Sequence, residues 1–409
     1  MKNSKLLCAL LGFFLGFFVQ GQSLVELQEI ALANNAGIQA SYKQFEASLE
    51  QIPQAKSLDD PILSGGYFLQ PMGTLMGEQV FKLSLNQQFP WFGTLKAKGD
   101  LVALQTEANF QDFIEQKANL ELRIAEVYFP LLEIHQLMEL EKKHQKLLNS
   151  IYEVAENQYE NNEVSLKDVY EVEMELEESK INLQILHQQK KAKEARINAL
   201  LNRSENIAIK PVPDLINEAN DEVEKSVENH PALEAINLRT SAYEAQEKVA
   251  KKSALPRLGV GLEYMYLDDF SMNGMEYEGM QMFMPMLSVS LPIFTKKYKS
   301  AKKEATLLQA SSQLAWEEQH QQLKAEFTES KQNISVYQSQ LDLLKFKINK
   351  TEKIMEITYN KFENALGSLD ELLNVQRRLL NFEQEQLQVM TNLSIAKSKL
   401  NYLTYTTEK

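Results

Sequence analysis

Two spacings of apolar residues alternate along the chain, and each specifies a different element. From Ser165 onward, Val169, Val172, Leu176, Ser179, Leu183, Leu186, Lys190, Lys193, Ile197 and Leu200 recur at steps of three and four, and seven of these ten are apolar. The same steps return at Leu372, Val375, Leu379, Phe382, Gln386, Val389, Leu393, Ala396, Leu400 and Leu403. They are also present in the arm before it, at Ile334, Tyr337, Leu341, Leu344, Ile348, Thr351, Met355 and Thr358. A heptad seam of this kind calls for a partner helix packed at coiled-coil geometry. The stretches Gly93 to Tyr159 and Thr295 to Lys361 contain one proline between them, Pro130. Each has the length for a helix of roughly 100 Å at about 1.5 Å per residue. Pro130 is expected to kink or split the first, because proline lacks an N–H and its ring crowds the preceding turn.

Between these arms the period is two. Leu258, Val260, Leu262, Tyr264 and Tyr266 alternate with Gly259, Gly261, Glu263 and Met265, while Leu287, Val289 and Leu291 alternate with Ser288 and Ser290. Phe81, Leu83 and Leu85 against Lys82, Ser84 and Asn86 repeat the signal earlier, with Ile62 to Gln70 as their partner. Such alternation marks strands with one apolar face. Each half thus holds a hairpin whose strands are apolar on one side and polar or glycine on the other, as transmembrane barrel strands are. Four strands cannot close a barrel, so the pattern demands that several copies share one.

The two halves follow one plan. Asn34, Ala36, Ile38 and Ala40 correspond to Asn229, Pro231, Leu233 and Ala235 at an offset of 195, as Pro61 does to Pro256. Phe89-Pro90 matches Leu291-Pro292 at 202, and Tyr159-Glu160-Asn161 with Ser165-Leu166 matches Phe362-Glu363-Asn364 with Ser368-Leu369 at 203. The length difference falls between the prolines, in a loop. The expected organisation is a first repeat over 22–203, with its hairpin at about 61–90 and helical arms at about 93–203. A linker over 204–220 leads to a second repeat over 221–409, with its hairpin at about 256–293 and arms at about 295–405.

Composition narrows the chemistry. The 409 residues carry 43 basic and 56 acidic side chains, a formal charge of −13, so no surface-wide basic footprint invites nucleic acid or anionic lipid. Cys8 is the single cysteine, and His135, His144, His187, His230 and His320 are widely spaced. Cys/His zinc sites, disulfides and thiol catalysis are therefore excluded, no cofactor is expected, and an enzyme has nothing to use.

Lys2 and Lys5 precede an apolar run from Leu6 to Val19, followed by Gln20, Gly21 and Gln22. This reads as a secretory signal over 1–21, too short to span a membrane. Its removal leaves 41 − 56 = −15. Cys8 lies near the start of the apolar run rather than at the cleavage point, so acylation there is not expected. No later run of about 18 apolar residues exists to span a bilayer as a helix.

Signal, duplicated halves, a hairpin in each half and long heptad arms together resemble the TolC-type outer-membrane efflux channel family, over residues 23 to 405. Local matches are Asn229-His230-Pro231-Ala232-Leu233, the strands that begin at proline, and the turns around Ser165 and Ser368 with an acid three residues on. The resemblance implies a mainly α fold with a small β part, made of long coiled-coil hairpins plus four transmembrane strands per chain. It implies a homotrimer whose twelve strands close one barrel in the outer membrane of a Gram-negative bacterium, continued through the periplasm by a barrel of helices. Its partners are a periplasmic adaptor, an inner-membrane RND-type pump and outer-membrane lipid, and it serves as their passive exit duct. A periplasmic coiled-coil scaffold or adaptor without a pore accounts for the heptads and leaves the strands unexplained.

Ser165 with Asp168, and Ser368 with Glu371, have capping-box spacing, so these acids have a structural use in any reading. In the family, the second hairpin tip contributes acids to a cation-sensitive ring. The resemblance places Glu371 there, with Asn374 where a second acid is common and Asp370 as a substitute. Asp168 and Glu171 are the candidates in the first hairpin. Asn162 stands where the first tip often has glycine, whereas Gly367 lies in the second, so the first turn is expected to be the stiffer.

Nine of the 14 methionines, Met72, Met76, Met265, Met272, Met275, Met280, Met282, Met284 and Met286, fall in or beside the hairpin loops. Thioethers are soft ligands that favour Cu(I) or Ag(I), and flexible methionine also fills irregular packing. Met272, Met275, Met280 and Met282 are the metal candidates. The run Gln88-Phe89-Pro90-Trp91-Phe92-Gly93 resembles the version in the heavy-metal branch of the family, and its aromatics equally suit a membrane interface belt.

Overall fold

The structure is a computed structural model that describes residues 21–74, 76–212 and 226–405. The signal segment up to residue 20 and the linker from residue 213 lie outside the described residues. In chain order the elements are α1 (Leu24–Asn34), α2 (Ala36–Lys56), β1 (Ile62–Thr74), β2 (Gly77–Phe89), α3 (Thr94–Glu160) and α4 (Leu166–Leu200). The second half contains α5 (Pro231–Ser253), β3 (Arg257–Asp268), β4 (Phe270–Met272), β5 (Met275–Tyr277), β6 (Gln281–Ser290), α6 (Thr295–Glu363) and α7 (Leu369–Leu403). The chain divides into two compact units. One comprises the described parts of Met1–Ala40, Glu115–His230 and Gln322–Lys409, the other Ser41–Ile114 and Pro231–Gln321.

The second of these units holds the sheet, in the antiparallel order β1-β2-β3-β6. β2 pairs with β3 from Glu78 opposite Asp268 to Phe89 opposite Leu258, so the hairpins of the two halves fuse into one sheet. The short pair β4 and β5 sits in the connection between β3 and β6. Register places Leu63, Leu83, Leu85, Val260, Leu262 and Leu287 on one face, and Ser64, Lys82, Ser84, Glu263 and Met284 on the other. The apolar face is as open as the polar one, unlike a sheet whose apolar side lies on a core. Leu262 is 48% exposed and Leu287 87%, whereas Glu263 is 8% exposed and its carboxylate lies 3.6 Å from Lys82 Nζ. Helix packing in the same unit is conventional, with Tyr42 and Phe45 of α2 against Phe113 and Phe110 of α3.

The other unit is made of helices. α3 runs unbroken through Pro130, so the expected split does not occur. Tyr128, Phe129 and Leu131 around it are at most 2% exposed, and such burial outweighs the one hydrogen bond that a helical proline forfeits. Tyr128 Oη donates to the Val212 carbonyl at 2.7 Å and accepts from the Val212 N–H at 3.1 Å, with the Gln22 carbonyl also 3.1 Å away, so the chain entry and the start of the connection are fastened onto α3. The heptad seams pack as their spacing requires. Leu148, Ile151 and Ala155 of α3, Val169, Val172 and Leu176 of α4, Met355 and Phe362 of α6, and Leu369, Leu372 and Val375 of α7 form one core near the two hairpin turns. Ser179, a polar residue on a seam, is buried and donates its hydroxyl to the equally buried Glu141.

Candidate functional site

The two helical-hairpin turns are the same structure built twice. After α3, Asn162 takes a left-handed φ of 62°, and after α6, Ala365 takes 56°. Glu163 N–H donates to the Gln158 carbonyl and Leu366 N–H to the Lys361 carbonyl, each at 2.8 Å. These bonds close the α3 and α6 ends with the Schellman pattern, which requires the positive φ. Gly367 is not the left-handed residue. A Cβ there would stand 3.1 Å from the Lys361 Cβ and from the Phe362 amide, so glycine serves close approach instead. The second turn, with alanine in the left-handed position, is therefore the strained one.

The helix starts differ. At Ser165 the capping box is complete, with Asp168 N–H donating to Ser165 Oγ and Ser165 N–H donating to the Asp168 carboxylate at 2.8 Å. Ser368 has an extended backbone but makes no side-chain cap hydrogen bond. The spacing is thus realised in the first hairpin alone, and Glu371 is left exposed to solvent with Asp370 and Asn374.

Lys167, which the motif reading missed, links the acids of the two hairpins. Its ammonium lies 3.0 Å from Glu171. Hydrogen bonding to Glu171, followed by the charges of Asp370 and Glu171, holds it above the usual lysine range. Glu171 pairs with this cation, while Asp370 and Asp168 act on it through their charge alone. One turn deeper, Arg377 Nε of α7 lies 3.5 Å from Glu175 of α4. Gln158, buried, donates its amide to the Phe362 carbonyl at 2.6 Å and ties the end of α3 to the end of α6. The i,i+4 placement of Lys167 and Glu171 was the available signal; nothing local in the sequence marks Gln158.

The methionine candidates separate. Met275 and Met280 are exposed in the connection beyond the main sheet, and the Met272 side chain lies outside what is described. Met282 pairs with Met265, Met284 with Glu263 and Met286 with Gly261, so these four thioethers share the polar sheet face with Lys82. Among the described residues, no group of three or more His, Cys, Asp or Glu side chains is placed to hold a metal ion.

Solved structures share this architecture at low sequence identity. The CusC structures, described by conformational changes accompanying folding and transmembrane channel formation, match with a TM-score of 0.76 at 16% identity, over 94% of this chain and 92% of that one. The outer membrane protein VceC of Vibrio cholerae gives 0.76 at 15%, over 94% and 97%. The CmeC outer membrane channel of Campylobacter jejuni gives 0.75 at 14%, over 94% and 87%. In sequence, residues 223–404 match the family described as outer membrane efflux protein. No curated protein sequence matches the chain significantly.

Proposed function

We propose, from the match of residues 223–404 to the outer membrane efflux protein family and from the sheet, that the chain is the outer-membrane exit duct of a tripartite efflux system. Three copies form the channel, and a periplasmic adaptor and an inner-membrane pump of the RND type deliver its cargo. The observation that carries this reading is the sheet's uncovered apolar face and its two open edges. β1 and β6 are edge strands with unpaired backbone groups, and long open edges are a liability unless something pairs them. Joining β6 of one copy to β1 of the next uses both edges, and three copies give twelve strands in a closed barrel with Leu63, Leu262 and Leu287 toward lipid. The helices have matching unsatisfied surfaces. Tyr170, Met174, Ile181 and Ile185 on α4, and Val336, Leu343 and Ile357 on α6, are apolar, exposed and spaced for a coiled-coil neighbour.

The hairpin turns then form the periplasmic end of the duct, where Asp370 and Glu371, with Asp168 and Glu171 behind them, supply carboxylates around a threefold axis. No catalysis is involved: cargo crosses a water-filled conduit down the gradient that the pump creates. The test is assembly. Mature protein in detergent sediments as a trimer and conducts ions in a planar bilayer; a folded monomer with full helix content and no conductance would leave the scaffold or adaptor reading in its place.

Soft monovalent metal ions are the finer reading of the cargo. Met265, Met282, Met284 and Met286 on the polar sheet face give the conduit wall thioethers that exchange Cu(I) or Ag(I) readily. Silver X-ray absorption of the loaded channel is expected to show sulfur neighbours that disappear in a Met265→Leu, Met282→Leu, Met284→Leu variant. Unchanged spectra would remove the metal reading and leave the duct.

A further inference from the structure

The chain is acidic overall, yet three of its four junctions between helix and strand are the reverse, the fourth carrying Asp59 and Asp60. Residues 94–99, 251–257 and 295–303 contain ten lysines and arginines and no acid. At the first junction this charge surrounds a cavity lined by Thr94, Lys98, Lys252 and Arg257, with Trp91 as an aromatic wall and Asp59 as the one lining carboxylate. None of the three cations is in an ion pair among the described residues. Lys252 reaches over the chain entry to α3: a Cβ on Gly93, whose φ is +79°, would stand 3.8 Å from its Nζ.

Thr94 points to what the cavity takes. It is 3% exposed, and its Oγ1 is buried without a hydrogen-bond partner among the described residues. A buried hydroxyl left unpaired is unfavourable, so its persistence on a cavity wall calls for a ligand. Thr94 is also the first residue of α3, a 67-residue helix, and first-turn amides add donors and partial positive charge. Thr94, the start of α3, Lys98, Lys252 and Arg257 line one cavity, a donor set that suits a phosphate group and offers little to a neutral molecule.

We propose that this cavity binds the phosphate of an anionic phospholipid headgroup. On the channel reading, on which this inference rests, the junction lies where the strands leave the membrane on the periplasmic side. The exposed Phe92, beside Trp91, then sits at acyl-chain depth while the phosphate seats on Lys252 and Arg257. The site would fasten the channel to the inner leaflet of the outer membrane. A free phosphate ion offers the same chemistry without the acyl chains, and the experiment separates the two.

Native mass spectrometry of the intact mature channel, released from detergent with phosphatidylglycerol or phosphatidylcholine added, reads assembly and bound lipid together. Wild-type trimers are expected to retain phosphatidylglycerol over phosphatidylcholine. Lys252→Gln with Arg257→Gln is expected to lower that retention at least about fivefold, and Thr94→Val, which removes the hydroxyl at constant charge and volume, to lower it in trimers that are otherwise intact. Undiminished phosphatidylglycerol retention in both variants, or equal retention of the neutral lipid by wild type, would overturn the proposal. Displacement of the lipid by millimolar inorganic phosphate would overturn the lipid assignment in favour of a free anion. Absence of a wild-type trimer would instead count against the channel reading itself.

Discussion

Asn162 and Ala365 hold the same left-handed backbone conformation at equivalent ends of α3 and α6. Asparagine visits that region readily, whereas alanine pays roughly 1 kcal/mol for its Cβ. The turn geometry has been kept in both halves while its residue preference has been met in only one. Ala365→Gly or Ala365→Asn is therefore expected to stabilise the second turn by about 0.5–1 kcal/mol, and Asn162→Ala to weaken the first by a similar amount. Hydrogen exchange of the amides of Glu163 and Leu366 reads each turn separately.

The unequal caps make a second contrast. Ser165→Ala removes a complete capping box and is expected to cost the start of α4 about 1 kcal/mol, seen as faster exchange in its first turn. Ser368→Ala removes no side-chain bond and is expected to leave α7 nearly unchanged. Equal effects would mean that Ser368 caps its helix in solution.

That contrast also makes the proposed constriction at the turns accessible to substitution. Asp370→Asn with Glu371→Gln removes two charges per chain without disturbing a cap, so helix stability is expected to persist. In planar bilayers, block by a trivalent cation added on the side of the turns is expected to weaken in this variant. Lys167→Gln, which removes the cation that pairs with Glu171 and feels the charge of Asp370, is expected to strengthen it. Equal block in all three proteins would place the constriction elsewhere.

On the sheet, Leu262→Asp puts a charge on the apolar face and is expected to cost about 2–4 kcal/mol at mid-bilayer depth, abolishing heat-resistant trimers. Ser64→Asp on the opposite face is expected to be tolerated. Gly261 is a poorer control than its place in the alternation suggests, because a Cβ there would come within 2.2 Å of Asn86 Oδ1.

Stability should also depend on pH through Glu383 of α7. Partial burial, reinforced by the charge of Glu352, raises its pKa above the ordinary glutamate value of 4.5. The folded state then binds more protons than the unfolded one just above that value, so stability declines as pH rises through the window. Glu383→Gln is expected to raise the melting temperature at pH 8 and to leave it unchanged near pH 4; a gain of equal size at both would trace to packing.

The parts of the fold that rest on period were legible in the sequence. Val172, Leu176 and Leu372 were placed on seams by spacing alone and are buried there, and the two faces of β3 follow directly from its alternation. What depends on three-dimensional neighbours was not. Pro130 stays helical because of side chains packed around it, and the left-handed position falls on Ala365 rather than on the nearby Gly367. Lys167 feels the charge of Asp370 across two hairpins, a proximity that no local spacing encodes. The cavity at Thr94 was hidden by the average: a net charge of −13 conceals a junction where every charged residue of three short segments is positive.

The pairing of β2 with β3 also sets an order of events. All of α3, α4 and α5 separate these two strands in the sequence, so the sheet is dominated by a contact of very long range, the kind that closes slowly. Any β1–β2 hairpin that forms as the chain emerges with its amino terminus first has a bare edge until Arg257–Asp268 arrives to cover it. For that interval the nascent chain presents the unprotected strand that promotes aggregation. The first half of this duplicated chain is thus dependent on the second, and an escort in transit is most needed before the second hairpin has been delivered.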